Sequence, residues 1–238
     1  MPDEEPGKEE AEEPDDLSDV EIETPGVWEE RLTEALTPSE DPGMVVAACG
    51  HPQGEPRVYL HAEVLSRILE HTRGETSREV GGVLLGSFYL SHDRRVTDVR
   101  GAVRAPLTRA GQAHVTFSHD TWAAIFQSVD PEPGRSIVGW YHSHPNFGIF
   151  LSRQDVFIQE NFFDSQGHIA LVIDPLRHQA GVFRWEEGRV CPAPGFWISE
   201  EEGKEEKARR LAKMLSYRTS RNATPGFLQR MLGRFRRR

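Results

Sequence analysis

Between about residues 44 and 199 the chain mixes strand-type and helix-type segments without strict strand–helix–strand alternation. That order leaves few folds open. "MVVAAC" and "RVYLH" read as strands, and "AEVLSRILEHTR" reads as an amphipathic helix with Val64, Ile68 and Leu69 on one face. The helix stops at Gly74, a residue suited to the position after a helix end. "EVGGVLLGSFYL" is a long apolar strand whose glycines admit the close approach of other backbone. "RVTDVRGAV" and "HVTF" follow as strands, and Ser118 then caps a helix over "HDTWAAIFQSV". "SIVGWYHSH" is a strand, "SRQDVFIQENFF" a helix, and "HIALVID" and "AGVFRW" are strands. Beyond Pro194 the pattern changes. Ser199 and Glu202 spell a capping box for a charged helix to about residue 217, with Ala208, Leu211 and Leu215 as its apolar stripe. The fold class expected is α/β, a mixed sheet sandwiched by helices.

The flanks are separate objects. Residues 1–26 hold twelve Asp/Glu against one Lys, too acidic and too poor in apolar residues to fold. Residues 218–238 hold seven Arg and no acid, so the net charge of −10 describes neither end. A short arm or linker at 27–43 places Trp28, Leu32 and Leu36 at helical spacing, predicting a short helix. The folded domain is assigned to 44–199, and 200–238 to the charged helix and a basic tail. Within that tail Thr224 and Pro225 open a helix with Phe227, Leu228, Met231, Leu232 and Phe235 on one face and arginines around it. Such a helix suits an anionic partner or surface, or packs on its own domain. Two distant cysteines, Cys49 and Cys191, make neither a disulfide framework nor a zinc ribbon. No apolar run nears the roughly 18 residues of a membrane span and no signal peptide is visible, so a cytoplasmic location is expected.

The chemistry concentrates in "GWYHSHPNFGIFLSRQD", Gly139 to Asp155. On a strand, His142 and His144 point to one side and Ser143 to the other. Pro145 ends the strand, and Ser152 fits a helix N-cap with Asp155 in the first turn. Alone, Ser-x-x-Asp is a capping pair and His-x-His is more often surface or core than ligand. Together they offer two nitrogens and a carboxylate, the donor set of a catalytic zinc with one position left open. Glu75, Glu79 and Glu160 are candidates for a general base. Glu79 stands out because it leads a buried strand, where a carboxylate is costly without work or a partner.

Glu79 in "EVGGVLLG", then His142-Ser143-His144-Pro145, Ser152 and Asp155 fill every motif position of the JAMM (MPN+) metalloproteases, which the chain resembles from about Val58 to Trp185. The resemblance implies an MPN-type fold and one zinc per chain, held by His142, His144 and Asp155. It implies that Glu79 activates the attacking water and that Ser152 stabilises the oxyanion. It further implies cleavage after the C-terminal Gly-Gly of ubiquitin or a ubiquitin-like protein. Trimming of a sulfur-carrier relative of ubiquitin stays open, as does a non-catalytic MPN scaffold in a larger complex. Variable loops of the family would fall at "RAPLTRAGQA" and "EEGRVCPAPG"; both are short, and neither carries a second His/Cys cluster. Other zinc classes fail on residues: the chain has no His-Glu-x-x-His and no Pro-Cys-x-x-Cys.

Overall fold

The computed structural model describes residues 32–105 and 136–218. The acidic tail, Trp28, "HVTF", the Ser118-capped helix and the basic tail helix lie outside the described residues. Among the described residues, eleven strands form one mixed sheet. They are β1 (Thr33–Glu34), β2 (Met44–Gly50), β3 (Arg57–His61), β4 (Gly81–Ser91), β5 (Arg94–Arg104), β6 (Ser136–Ser143), β7 (Ile169–Asp174), β8 (Gln179–Glu186), β9 (Arg189–Pro192), β10 (Gly195–Glu201) and β11 (Ser216–Tyr217). Their order is β11-β8-β7-β6-β4-β5-β3-β10-β2, with β1 added to β4 and β9 to β8. β4 pairs antiparallel with β5 and β6, while β6 and β7 run parallel.

The central strands are buried on both faces, which is why they read as near-continuous apolar runs. Their side chains still alternate between two cores. Leu84, Ile169, Leu171 and Ile173 face helix α1 (Ala62–Gly74) and helix α3 (Glu205–Met214), packing with Leu65, Ile68 and Leu211. Val83, Leu85, Trp140, Ala170 and Val172 face the opposite way, toward helix α2 (Arg153–Phe162) and its Ile158. The sheet is therefore covered by helices on both faces, as expected. It also curls. β2 and β11 stand at opposite ends of the strand order, yet Gly50 of β2 lies against the Tyr217 ring of β11. A Cβ at Gly50 would sit 2.6 Å from that ring, and the residue has φ +78°, so both contact and conformation call for glycine.

Three local expectations give way to tertiary pairing. The arm is not helical where it is described: Thr33 and Glu34 run parallel to Tyr89 and Leu90, past Gly86, the β4 residue opposite Ser136. An available row of backbone partners outweighs a short apolar stripe, and Leu36 is 61% exposed. The capping box at Ser199 and Glu202 does not form. Ser199 is buried inside β10, opposite Val46 and His61, and α3 starts at Glu205 with no side-chain cap. The stretch "EEGRVCPAPG" is not an open loop. Glu187 and Gly188, at φ +50° and +73°, make a two-residue hairpin turn between β8 and β9.

Candidate metal centre

The alternation of β6 determines which residues meet. Trp140 and His142 share the α2 face, while Tyr141 and Ser143 face α1. His142 lies opposite Gly81 at the start of β4 and Val172 in β7, so its ring enters the gap between sheet and α2. His144 follows just past the strand end; its N–H donates to the Ile173 carbonyl at 2.8 Å. From the other side comes α2. Ser152 is its N-cap and Asp155 its third residue, joined in a reciprocal capping box. Asp155 N–H donates to Ser152 Oγ at 3.1 Å, and Ser152 N–H donates to Asp155 Oδ2 at 2.6 Å. The cap thus pins the carboxylate as well as the helix end.

His142, His144 and Asp155 are all buried and each brings one donor atom to a common point. His142 Nε2 and His144 Nε2 are 3.0 Å apart. His142 Nε2 is 3.5 Å from Asp155 Oδ1, and His144 Nε2 is 3.6 Å from Asp155 Oδ2. A tetrahedral ion with bonds of about 2.0–2.1 Å requires donor–donor edges of roughly 3.3–3.4 Å. The imidazole–imidazole separation and the two imidazole–carboxylate contacts, which go to different oxygens of Asp155, all lie near that value, and one donor atom from each residue falls within 4.8 Å of the other two, so the residues present fit a zinc ion. Glu79 Oε1 stands 3.6 Å from His144 Nε2. Burial by itself raises the Asp155 carboxyl; the charge and hydrogen bonds of the two imidazoles outweigh it and hold the group well below the usual carboxylate range. Of the other candidate bases, Glu75 accepts from Ser77 and pairs with Arg78, and Glu160 is exposed on α2.

Several further residues support the cluster. Trp140 stacks on His142, with ring centroids 4.5 Å apart and planes 13° from parallel, and donates through Nε1 to Gln159 of α2 at 2.8 Å. Phe150 leans on His144 at 4.5 Å. Ser143, fully buried, accepts at Oγ from the Val80 N–H (3.0 Å) and donates its own N–H to the Val80 carbonyl (2.8 Å). That double bond ties the residue after Glu79 to the histidine strand. The strand period already puts Trp140 beside His142; the partners of Ser143 and Phe150 are tertiary and leave no local trace.

Fold and site together define a mixed α/β sheet protein with a buried two-histidine, one-carboxylate cluster where a central strand meets a helix N-terminus. Residues 53–166 match the family described as JAB1/Mov34/MPN/PAD-1 ubiquitin protease. It is 33% identical over 138 residues to ubiquitin carboxyl-terminal hydrolase RPN11 of Saccharomyces cerevisiae, covering 57% of this chain and 44% of that one. It is 34% identical over 128 residues to 26S proteasome non-ATPase regulatory subunit 14 of Drosophila melanogaster, covering 52% and 40%. The chain thus spans less than half the length of these curated relatives. A JAB1/MPN domain protein from Archaeoglobus fulgidus of solved structure aligns with a TM-score of 0.34 at 18% identity, over 57% of this chain and 94% of that one. No helix among the described residues is long and apolar enough to cross a membrane.

Proposed function

We propose that this chain is a zinc-dependent isopeptidase or peptidase that cuts after the C-terminal Gly-Gly tail of ubiquitin or a ubiquitin-like protein. One observation carries the reading: three buried donor residues, two histidines and an aspartate, converge at zinc-like spacing with a second carboxylate, Glu79, 3.6 Å from His144 Nε2. The relatives' names, a ubiquitin hydrolase and proteasome subunits, support the substrate class. His142, His144 and Asp155 would hold the ion. Zinc, when bound, supplies a Lewis acid that acidifies a water and polarises the scissile carbonyl. Glu79 is the residue placed to orient the attacking water, take its proton and return it to the leaving amine. Ser152 uses a lone pair to cap α2 and keeps its O–H proton for the developing oxyanion. Trp140 and Phe150 wall the two imidazoles and keep bulk water from their outer faces.

Metal analysis and turnover of Glu79→Gln test the reading. The wild type is expected to purify with about one zinc per chain. The variant keeps shape and volume but cannot accept a proton, so it should fold, retain zinc, and cleave a ubiquitin-like conjugate at least roughly 10²-fold more slowly. Near wild-type cleavage by Glu79→Gln sinks the mechanism. Loss of zinc or of the fold in the variant would make Glu79 structural instead.

A further inference from the structure

We propose that Asp174 is a positioning residue for the metal cluster: it anchors Gly148, whose carbonyl fixes the His144 ring with Nε2 toward His142 and Asp155. The proposal rests on the zinc reading above. Asp174 ends β7 and is 0% exposed. A carboxylate so buried is costly unless its oxygens are satisfied. The nearest cation, Arg177, offers only Nε at 3.6 Å from a side chain that is 45% exposed. What satisfies Asp174 is backbone. Oδ1 accepts from the N–H groups of Asn146 (3.1 Å), Leu176 (3.1 Å) and Arg177 (3.0 Å), and Oδ2 accepts from Gly148 N–H at 2.8 Å.

The bonds to Leu176 and Arg177 are those of an ordinary Asp-led turn and would suffice to close the β7–β8 connection. The bonds to Asn146 and Gly148 reach back 28 and 26 residues, into the loop that follows His144. Asn146 and Gly148 both have positive φ, +67° and +85°, which turns their N–H groups into one concavity suited to an anion. Asp174 fills it. On the outer side of the same loop the Gly148 carbonyl lies 3.3 Å from His144 Nδ1. A carbonyl only accepts, so Nδ1 carries the proton and Nε2 keeps its lone pair. The chain of contacts therefore runs Asp174 Oδ2, Gly148 N–H, Gly148 C=O, His144 Nδ1, and ends at the nitrogen that joins the cluster. Metal-binding histidines are typically oriented through their second nitrogen in this way.

Asp174→Asn tests the link at one oxygen. The amide oxygen can keep the three bonds made by Oδ1, which places the NH₂ group against the Gly148 N–H and breaks only that bond. With full-length protein, zinc affinity is measured by chelator competition, the visible spectrum of the cobalt(II)-loaded form is recorded, and thermal unfolding of the metal-free proteins is compared. Asp174→Asn should bind zinc about 10–100-fold more weakly and shift the cobalt spectrum, a change at the metal that a loss of metal-free stability alone would not produce. Gly148→Ala, which strains a φ +85° residue and leaves Asp174 untouched, should weaken zinc in the same direction; it decides the matter should Asp174→Asn not fold. Wild-type zinc affinity in a folded Asp174→Asn or Gly148→Ala protein, or a metal-free wild type whose His144 carries its proton on Nε2 by nitrogen NMR, overturns the proposal. A wild type that binds no zinc overturns the functional reading, and this proposal with it.

Discussion

Asp155 holds two jobs in one carboxylate, and a single substitution can separate them. Its Oδ2 accepts the Ser152 N–H and closes the capping box, while both oxygens face histidine nitrogens. Asp155→Asn keeps an oxygen for the cap but loses the charge that a dication needs. The variant should keep α2 and lose most of its zinc, which helical circular dichroism and metal analysis will report together. Ser152→Ala is the converse. It leaves the Asp155 N–H without its cap acceptor and should cost about 0.5–2 kcal/mol in urea unfolding. It should also slow turnover, since the hydroxyl donor goes with the cap. Ser152→Thr, which can still cap and donate, should recover most of both losses. A Ser152→Ala protein as stable as wild type would remove the capping role from this residue.

Elements whose signal is local were legible, and elements whose signal is tertiary were not. β4, β6 and β7 are apolar on both faces and declare themselves in "GGVLLG", "SIVGWYH" and "IALVID". α2 declares itself through Ser152 and Asp155. By contrast, β10 ends in Ser199, Glu200 and Glu201, and its polar end resembles a helix start until β2 and β3 are in place on either side. Glu200 is buried there, 3.5 Å from His61. His142, His144, Ser152 and Asp155 were legible because they sit in two short local motifs; Ser143 and Asp174 were not, because their partners are distant backbone groups. The arm belongs to the illegible class, and its anchor is one carboxylate. Glu40 Oε2 accepts from the Thr37 N–H (2.9 Å), the Thr37 hydroxyl (2.8 Å) and the Ser91 hydroxyl of β4 (2.8 Å). These bonds, the Thr37 N–H foremost, lower the Glu40 carboxyl to about 2. A folded-state value below the unfolded one stabilises above the unfolded value and is lost as pH falls through the folded one. The arm's contribution should therefore decline from about pH 4.5 to about pH 2. Glu40→Gln should lower stability at neutral pH, and its difference from wild type should shrink across that window in urea titrations. A constant difference at every pH would contradict the assignment.

At the scale of the whole molecule, the sheet is long enough to have two distant edges, and Tyr217 helps bring them together, beside Arg184 of β8, which donates to the Gln53 and Pro56 carbonyls between β2 and β3. Tyr217 lies in β11, the last strand at one end, and its ring covers Gly50 of β2 at the other. Its hydroxyl donates to the Ala193 carbonyl at 2.6 Å and accepts the Val182 N–H at 3.3 Å. Ala193 and Val182 are themselves fully buried in the α1-facing core, with Phe196 packed nearby. Removing only that oxygen leaves a donor and an acceptor inside the core without their partner. The cost expected for Tyr217→Phe is about 1–3 kcal/mol, more than an exposed hydroxyl would carry. The ring remains, so the contact with Gly50 persists and the metal cluster, built from β6, β4 and α2, should keep its zinc. Tyr217→Ala removes the ring as well and opens the seam, at about 3–5 kcal/mol. Urea unfolding of the two variants beside wild type reads both steps. If Tyr217→Phe unfolds at the wild-type midpoint while Tyr217→Ala does not, the seam is held by ring packing and the two hydrogen bonds contribute nothing net.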